Sequence, residues 1–404
     1  MAYQKPSLFH YRVAQSAAWI LATFVFRRRI LRNEIKGKKG PYVVIANHQA
    51  ALDFVNLIGA TSRPMTFVIS KSFFSTLPVK GIMEKMGVIP KQQFQTAVSD
   101  LKAMRSVIEA GQPLVIYPAG LMCEDGLSTP IPSATYKFLQ WLGADVYVAR
   151  ATGSYFVMPK WKGGMHPGRT DMDIYRLFAK EELADMTEEQ IKEKTDQALL
   201  FDAYREQENT LVKYHQTHCI EGLENVLYAC PHCGKEYEMH AAKDTIRCAA
   251  CGYEQTSDRY GFLHNRKGLG EEIRYVSDWS RLIHNRLKGR IQQGIDTTLS
   301  SAITIRMVDE SKNKFVDVGT GRLHLDGERF LITGTIHGRP AELNIPIAGI
   351  PTLPFTPGKH LEVQHGSAIY RCVPEDRRLV MKFIQMVKIF YELKNAPVGA
   401  EIGG

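Results

Sequence analysis

Short apolar runs alternate with an amphipathic segment between residues 41 and 165. Gly111 ends a stretch, residues 97–111, whose apolar positions recur at helical spacing, which predicts a helix. Runs bounded by Gly, Pro and polar residues are typical of strands, and the four clearest are YVVIA (42–46), MTFVIS (65–70), LVIYP (114–118) and ADVYVARA (144–151). Strands separated by helices predict an α/β layer structure over residues 41–170, with chemistry at the strand ends.

The first apolar segment, residues 7–32, predicts a helix that carries Trp19 and Phe24 and ends in consecutive arginines. Residues 1–40 therefore fit a helix lying in a lipid interface, held by apolar burial and by anionic headgroups. A helix packed on its own domain fits equally well, because many short apolar helices belong to a core. The run at 13–26 is shorter than the ~20 residues that cross a bilayer. It has no small-residue cleavage site and its basic flank is C-terminal, unlike a signal peptide.

The pattern changes again after residue 170. Residues 171–225 are charged with helical spacing, and TEEQ at 187–190 is a capping-box signature, which predicts a helical arm on the α/β domain. Residues 226–265 hold two cysteine pairs. Residues 273–396 begin with a helix through WSRLIHNRL, continue as about seven short strands with Gly-rich turns, and end in one helix at 377–394. This order resembles a β-barrel of the pleckstrin-homology (PH) or GRAM type with one capping helix.

Charge is concentrated at the N-terminus. The chain of 404 residues has 51 Lys and Arg against 42 Asp and Glu, a formal charge of +9. Residues 1–40 hold nine basic side chains and one acid, so they supply +8 and the other residues only +1. A nucleic-acid binder usually spreads its basic surface, whereas this placement favours an anionic surface met by one end of the molecule. Seven cysteines, four of them in CxxC pairs, favour a reducing cytoplasm and a metal over disulfides.

The first strand runs directly into Asn47-His48-Gln49-Ala50-Ala51-Leu52-Asp53. An imidazole can take a proton from a hydroxyl near neutral pH, and a carboxylate on its other nitrogen would fix the tautomer and stabilise the imidazolium. Five residues of separation on a loop entering a helix allow His48 and Asp53 to face each other. The alternative is a surface pair that occurs by chance, but a position at the end of a buried strand favours a catalytic pair.

Four ordered blocks resemble the glycerolipid acyltransferase family, the lysophosphatidic-acid-acyltransferase-like enzymes. They cover roughly residues 10–165, and four in order are more specific than any one. The family's first motif is NHxxxxD, and its third is usually FPEG. The blocks of this chain are Asn47 to Asp53; Lys71-Ser72-Phe73-Phe74 through Pro78 and Gly81 to Gly87-Val88-Ile89-Pro90-Lys91; Gly111 with Tyr117-Pro118-Ala119-Gly120; and Val146 to Ala151 with Gly153 and Pro159.

The resemblance implies acyl transfer from a thioester, acyl-CoA or acyl-carrier protein, to a glycerolipid hydroxyl, without an acyl-enzyme. His48 would be the general base and Asp53 would orient it. Backbone donors around Gly120 would stabilise the tetrahedral oxyanion, and Lys91 would bind the acceptor's phosphate. The substrate-binding candidates are Asn47, Lys71, Lys91, Tyr117, Pro118, Gly120 and Arg150.

Two positions depart from the family pattern. The third-motif Glu is Ala119, and the usual Arg two residues after the Gly is Met122. Glu124 and Asp125 are candidates to replace the carboxylate, and Lys91 or Arg150 to replace the cation. A larger lysophospholipid, a glycolipid or another polar lipid is therefore as good an acceptor as lysophosphatidate. A catalytically silent lipid-binding scaffold with the same fold is the alternative to an enzyme.

The cysteine pairs are Cys230-Pro-His-Cys233-Gly and Cys248-Ala-Ala-Cys251-Gly. Four thiolates form a closed tetrahedral set that suits one structural Zn²⁺ and leaves no open position for catalysis. Zinc ribbons also occur in nucleic-acid-binding proteins. However, residues 228–262 hold four Lys and Arg against five Asp and Glu, which does not make a phosphate-binding surface. We expect no nucleic-acid partner. The sequence predicts a peripheral or monotopic O-acyltransferase on the cytoplasmic face of a membrane. Its expected partners are anionic lipid, a lysolipid acceptor and, where it rather than acyl-CoA is the donor, acyl-carrier protein.

Overall fold

A computed structural model describes residues 5–76, 79–93, 97–214 and 220–395. Pro78, which belongs to the second sequence block, lies outside these residues. The chain divides into two compact units. The first comprises residues 1–220 and 257–263, and the second comprises residues 221–256 and 264–404.

The first unit contains a seven-stranded sheet with helices between the strands. Its strands are β1 (Arg29–Asn33), β2 (Tyr42–Ala46), β3 (Thr66–Ser70), β4 (Ile89–Lys91), β5 (Leu114–Ile116), β6 (Asp145–Thr152) and β7 (Asp171–Phe178). Its helices are α1 (Leu8–Phe24), α2 (Asp53–Ile58), α3 (Lys71–Thr76), α4 (Lys80–Lys85), α5 (Val98–Glu109), α6 (Ala134–Leu142), α7 (Ser154–Val157), α8 (Lys180–Asp185), α9 (Glu188–Leu199) and α10 (Ala203–Thr210). The predicted α/β layer structure is confirmed.

The strand order is β1-β7-β6-β2-β5-β3-β4, and every neighbouring pair is parallel except β6 with β7. β2 is buried along its whole length, as expected for a strand covered on both faces. Val43 and Ile45 of β2 pack into a core with Leu114, Val146 and Val148 and with apolar residues of α5, α6 and α9. Because β2 to β6 run in one direction, the residues that follow β2, β3, β4 and β5 meet at one edge of the sheet.

The helix predicted over residues 7–32 ends at Phe24, and residues 29–33 form strand β1. Arg27 adopts a left-handed backbone conformation (φ 39°), which breaks the helix. The side chain of Arg29 then forms a bidentate ion pair with Asp171 at 3.0 and 2.8 Å, and Arg32 does the same with Asp173. Pairing with β7 therefore overrides the local helical pattern.

The helical arm predicted for residues 171–225 begins instead with a strand. β7 pairs with β6 through seven residue pairs, and the helices α8, α9 and α10 lie within residues 180–210. The capping box is confirmed, since the Thr187 side chain accepts from the Gln190 N–H and the Gln190 side chain accepts from the Thr187 N–H. The charged side chains of β7 concealed the strand, because Asp171 and Asp173 face the arginines of β1.

The second unit holds the cysteine pairs and a larger antiparallel sheet. The small strands of the cysteine region are β8 (Met239–Ala242), β9 (Thr245–Cys248), β10 (Glu254–Ser257) and β11 (Leu263–His264). The larger sheet follows helix α11 (Val276–Gln292). It comprises β12 (Leu299–Asp309), β13 (Lys314–Leu325), β14 (Arg329–Ile336), β15 (Arg339–Pro346), β16 (Phe355–Thr356), β17 (His360–His365) and β18 (Ala368–Pro374), and helix α12 (Leu379–Asn395) follows it.

The expected PH- or GRAM-like closed barrel is not confirmed. The order of the larger sheet is β15-β14-β13-β12-β18-β17-β16, so within residues 264–395 β15 and β16 are edges that do not pair with each other. The sheet is open, and α12 packs its buried face, including Phe383 against Phe330 of β14, on it. Seven strands and one final helix are present, as expected. The alternation of apolar and polar residues predicts strands, but it does not reveal whether the two edge strands pair to close a barrel.

Candidate functional site

His48 and Asp53 form a hydrogen-bonded pair at the edge of the first unit's sheet. The loop after β2 carries His48, and Asp53 is the first residue of α2. His48 Nδ1 lies 3.1 Å from Asp53 Oδ2. The His48 side chain is 21% exposed, whereas that of Asp53 is 2% exposed. The imidazole can therefore reach a substrate while its partner carboxylate is shielded from water.

Asp53 is held by the backbone of the same loop. Its Oδ2 also accepts hydrogen bonds from the N–H groups of Gln49 at 2.7 Å and Ala50 at 2.8 Å. Three donors on one oxygen fix the carboxylate, so that His48 donates from Nδ1 and presents Nε2 as the proton acceptor. The other oxygen, Oδ1, is buried with no hydrogen-bond partner among the described residues. A His and a carboxylate in this arrangement can act as a general base and the group that orients it.

Asn47 connects the His48 loop to β6. Its Nδ2 donates to the Ala151 carbonyl at 2.8 Å, and its Oδ1 accepts from the Ala151 N–H at 2.7 Å. Both the NH₂ group and the oxygen of the Asn47 amide are thus hydrogen-bonded to the backbone of Ala151. The sequence places Asn47 among the substrate-binding residues, but its contacts are those of a residue that fixes the loop on the sheet.

The loop after β5 brings Tyr117, Pro118 and Gly120 to the same edge. The centroids of the Tyr117 and His48 rings are 4.7 Å apart. Burial and the charge of Asp53 hold the pKa of Tyr117 well above its usual value, so that the phenol stays protonated. Gly120 has a left-handed φ of 69° and its N–H donates to the Tyr117 carbonyl, which closes a tight turn. Pro118 is buried in this turn.

Two contacts tie this loop to its neighbours, and the sequence did not reveal either. The Cys123 N–H donates to the His48 carbonyl at 3.3 Å. Gln93, two residues beyond β4, donates from Nε2 to the Gly120 carbonyl and accepts from Ser70 Oγ at 3.2 Å. The only signal in the sequence is a polar pair after a short strand, which is common in loops.

Lys71 and Lys91 lie at this edge in different surroundings. Lys71 follows β3 directly and is exposed. Lys91 is the last residue of β4 and is paired in register with Ser70. Burial lowers the pKa of Lys91, with Asp100 opposing the shift. Its Nζ donates to the carbonyl of Gln92 at 3.3 Å.

Arg150 does not supply a cation to this edge. Its guanidinium forms an ion pair with Glu206 of α10 at 2.5 Å and donates to the carbonyls of Ala198 and Leu200. The side chain therefore ties β6 to the helical arm. The sequence places Arg150 among the substrate-binding residues, but the contacts of its guanidinium are all with the helical arm, because a sequence does not show where an Arg on a strand finds a carboxylate.

Glu124 and Asp125 are both buried, together with Lys160. Asp125 Oδ1 accepts from the Leu127 N–H at 3.0 Å, and Lys160 Nζ donates to the Met122 carbonyl at 3.3 Å. These charges surround Cys123. Burial and the nearby carboxylates raise the pKa of its thiol well above the usual value. Lys160, which the sequence did not single out, is thus the basic side chain that meets the backbone of Met122.

The four cysteines of the second unit converge on one point. Cys230, Cys233, Cys248 and Cys251 place their Sγ atoms within 4.8 Å of one another. The Cys230–Cys251 and Cys233–Cys248 Sγ distances are 3.7 and 3.8 Å. A tetrahedral site with Zn–S bonds of about 2.3 Å has S···S edges of about 3.8 Å, so the residues fit the ion.

The two cysteine turns have matching backbone geometry. The N–H of Gly234 donates to the Cys230 carbonyl, and that of Gly252 to the Cys248 carbonyl, each at 3.0 Å. Both glycines have left-handed φ angles, 73° and 79°. A side chain at either position would be strained, which explains the glycine after each pair. The site is anchored by Trp279 of α11, whose Nε1 donates to the carbonyl of Ala229 at 3.0 Å.

The region around His48 and the region of the four cysteines each match a known protein family model. Residues 24–161 match the family model described as Acyltransferase. Residues 223–254 match a zinc-ribbon model described as DNA directed RNA polymerase, 7 kDa subunit. The chain therefore carries an acyltransferase-family domain followed by a zinc ribbon.

A solved structure with detectable similarity is the 1-acyl-sn-glycerophosphate (LPA) acyltransferase PlsC from Thermotoga maritima. It is 17% identical, with a TM-score of 0.39, and the match covers 47% of this chain and 75% of that chain.

Proposed function

We propose that the protein transfers a fatty acyl group from acyl-CoA or acyl-carrier protein to the hydroxyl of a lysophospholipid or related glycerolipid, with His48 as the general base. The observation that carries the proposal is the His48–Asp53 pair, at 3.1 Å, inside the acyltransferase-family domain. His48 Nε2 takes the proton of the acceptor hydroxyl as its oxygen attacks the thioester carbonyl. The C–S bond then breaks, the thiolate receives the proton from the imidazolium, and the products are an ester and a free thiol.

The acceptor end of the site is assigned to the edge that Lys91 and the Gly120 turn share. Lys91 is the candidate for the acceptor's phosphate or another anionic group, because an ammonium whose pKa is lowered by burial gains most from an anionic ligand. Tyr117 is a protonated hydroxyl donor beside His48. Backbone N–H groups of the turn are the candidates for the oxyanion donors.

A test of the proposed reaction supplies the purified full chain with acyl-CoA or acyl-carrier protein and a panel of lysophospholipids and glycolipids in vesicles. Mass spectrometry of the lipids should show a diacyl product, formed in equal amount to the released thiol. Thiol release without ester would mean thioester hydrolysis. Absence of both across the panel would favour the silent lipid-binding scaffold.

We further propose that α1 attaches the enzyme to an anionic lipid surface. The buried residues of α1 are Tyr11, Ala18 and Ala22, which share one face. The opposite side exposes a row of large apolar side chains, Leu8, Phe9, Val13, Trp19, Ile20 and Phe24, with Phe9 72% exposed. An apolar face open to solvent on a helix of 17 residues suits burial at a lipid interface. Among helices of the described residues, none combines the length and apolarity to span a bilayer.

The basic side chains near α1 contribute unequally to this surface. Arg29 and Arg32 are paired with Asp171 and Asp173, so they add little net attraction. Lys5, Arg12 and Arg27 have no ion pair within the described part of the chain. Each basic group near an anionic leaflet is worth about 1 kcal/mol. The apolar face, with these three cations, therefore carries the proposed attachment.

The zinc ribbon is assigned a structural role with one Zn²⁺ per chain. Four cysteine ligands complete a tetrahedral set, so none of the coordination positions is open to a substrate. The acidic Glu236 of the ribbon is paired with Arg290 and Lys382 of its own unit. The ribbon is thereby attached to α11 and α12, which is the arrangement of a folding element.

A further inference from the structure

Gln93 joins three loops at the edge of the sheet that carries His48. Its Oε1 accepts from the hydroxyl of Ser70, the last residue of β3, at 3.2 Å. Its Nε2 donates to the carbonyl of Gly120, in the loop after β5. Gln93 itself follows β4 by two residues. One amide side chain thus connects the carboxyl ends of three parallel strands.

The contact with Gln93 fixes the peptide between Gly120 and Leu121. A trans peptide is planar, and its C=O and N–H groups point in opposite directions. With the Gly120 carbonyl held by Gln93, the N–H of Leu121 is directed away from Gln93. Among the described residues, no backbone carbonyl accepts a hydrogen bond from the N–H of Leu121 or of Met122.

The same segment adjoins the His48 loop. The next N–H along the chain, that of Cys123, donates to the His48 carbonyl at 3.3 Å. Two N–H groups that no backbone carbonyl of the described residues accepts therefore lie between the Gly120 turn and Cys123, which contacts His48. Donors of this kind, held in place before the reaction, stabilise charge that develops on a substrate oxygen without further reorganisation.

We infer that Gln93 is a positioning residue for acyl transfer: it orients the Gly120–Leu121 peptide so that the Leu121 N–H faces the oxygen of the tetrahedral intermediate. The inference rests on the proposed function. Gln93 touches no reacting atom and acts through the backbone of Gly120. Because the oxyanion exists only after attack, loss of this orientation lowers kcat and kcat/KM together and leaves substrate binding unchanged.

The test compares Gln93→Met, which keeps side-chain length and removes both hydrogen bonds, with Gln140→Met as a matched control. Gln140 also donates its amide to backbone carbonyls, those of Leu183 and Met186, but it lies on α6. We expect kcat of Gln93→Met to fall by about 10- to 100-fold, less than or equal to the loss from removing an oxyanion donor outright. KM values for thioester and lysolipid should stay within about threefold, as expected for a transition-state effect. Gln140→Met should keep both parameters.

A second variant, Gln93→Glu, keeps the acceptor for Ser70 and loses the donor to Gly120 when ionised at pH 8. It should lose as much kcat as Gln93→Met, which assigns the effect to the Gly120 bond. Hydrogen–deuterium exchange of the peptide spanning residues 117–123 should increase in both variants and not in Gln140→Met. This readout remains decisive if the wild-type chain proves to be inactive, which would refute the proposed function alone. The inference would be overturned if either Gln93 variant kept the exchange rate of the wild type in this peptide. It would also be overturned if either variant kept the wild-type kcat or showed only a rise in KM.

Discussion

Replacement of Asp53 by Asn isolates the charge of the carboxylate from its hydrogen bonds. Three donors, from His48, Gln49 and Ala50, converge on the single oxygen Oδ2. An Asn amide can satisfy all three only with its oxygen in that position, since its NH₂ group would face three donors. The tautomer of His48 is therefore preserved in Asp53→Asn, which removes the negative charge beside the ring and places an NH₂ group at the position of Oδ1, where the described residues offer no hydrogen-bond partner.

The size of the effect follows from this geometry. A hydrogen bond to a charged acceptor is worth about 1.5–3 kcal/mol, against about 0.5–1.5 for a neutral one. A unit charge about 4 Å from the imidazolium centre contributes up to ~4 kcal/mol at an effective dielectric constant of about 20. We expect a loss of about 2–4 kcal/mol of transition-state stabilisation, which corresponds to roughly 30- to 1,000-fold in kcat. Asp53→Ala should also destabilise the fold by about 2–4 kcal/mol, because two loop N–H groups lose their acceptor.

The assay is thiol release from acyl-CoA in the presence of the accepted lysolipid, combined with thermal melting of each variant. Asp53→Asn should melt within a few degrees of the wild type and lose most of its kcat, whereas Asp53→Ala should lose both activity and stability. If Asp53→Asn retained kcat within about threefold, the carboxylate would not stabilise a cationic His48, and the general-base assignment would lose its main support.

Three other predictions concern stability, metal and membrane. Arg150→Met should lower the free energy of unfolding by about 2–4 kcal/mol, because it leaves the mostly buried Glu206 unpaired. The control Lys194→Met, which breaks an exposed ion pair, should cost under about 1 kcal/mol. Equal costs would contradict the role of Arg150 in holding the helical arm on β6. Metal analysis should find one zinc per chain, lost with much of the second unit's stability in Cys233→Ser, and a fully folded, zinc-free protein would refute the ribbon site. Trp19→Glu should reduce flotation with anionic vesicles by about tenfold or more without changing the melting temperature; unchanged flotation would show that α1 does not meet lipid.

The strands of the α/β domain were predictable because both faces of the sheet are covered. YVVIA is apolar at every position, and all five residues of β2 are buried. The His48–Asp53 pair and the cysteine set were also predictable, since a short loop or a tight turn brings their members together. In each case, the residues that must meet are close in the sequence.

The features that the sequence did not reveal depend on contacts between distant residues. Arg29 finds Asp171 across 142 positions, and this pairing turns a predicted helical end into a strand. Arg150 finds Glu206, which commits its charge to the helical arm. Gln93 reaches Gly120 only because β3, β4 and β5 align their ends. Closure of the C-terminal sheet likewise depends on whether its two edge strands pair with each other. The alternation of apolar and polar residues along each strand does not determine this.

The role proposed for His48 is that of the base in an acyl transfer. Its most direct test measures the ester product and the released thiol together, for the wild type and for His48→Ala, with the lysolipid that the panel identifies. The wild type should form ester and thiol in equal amounts, and His48→Ala should lose at least about 100-fold of both, as expected for removal of a general base. Ester formation by His48→Ala at a rate near that of the wild type would contradict the mechanism.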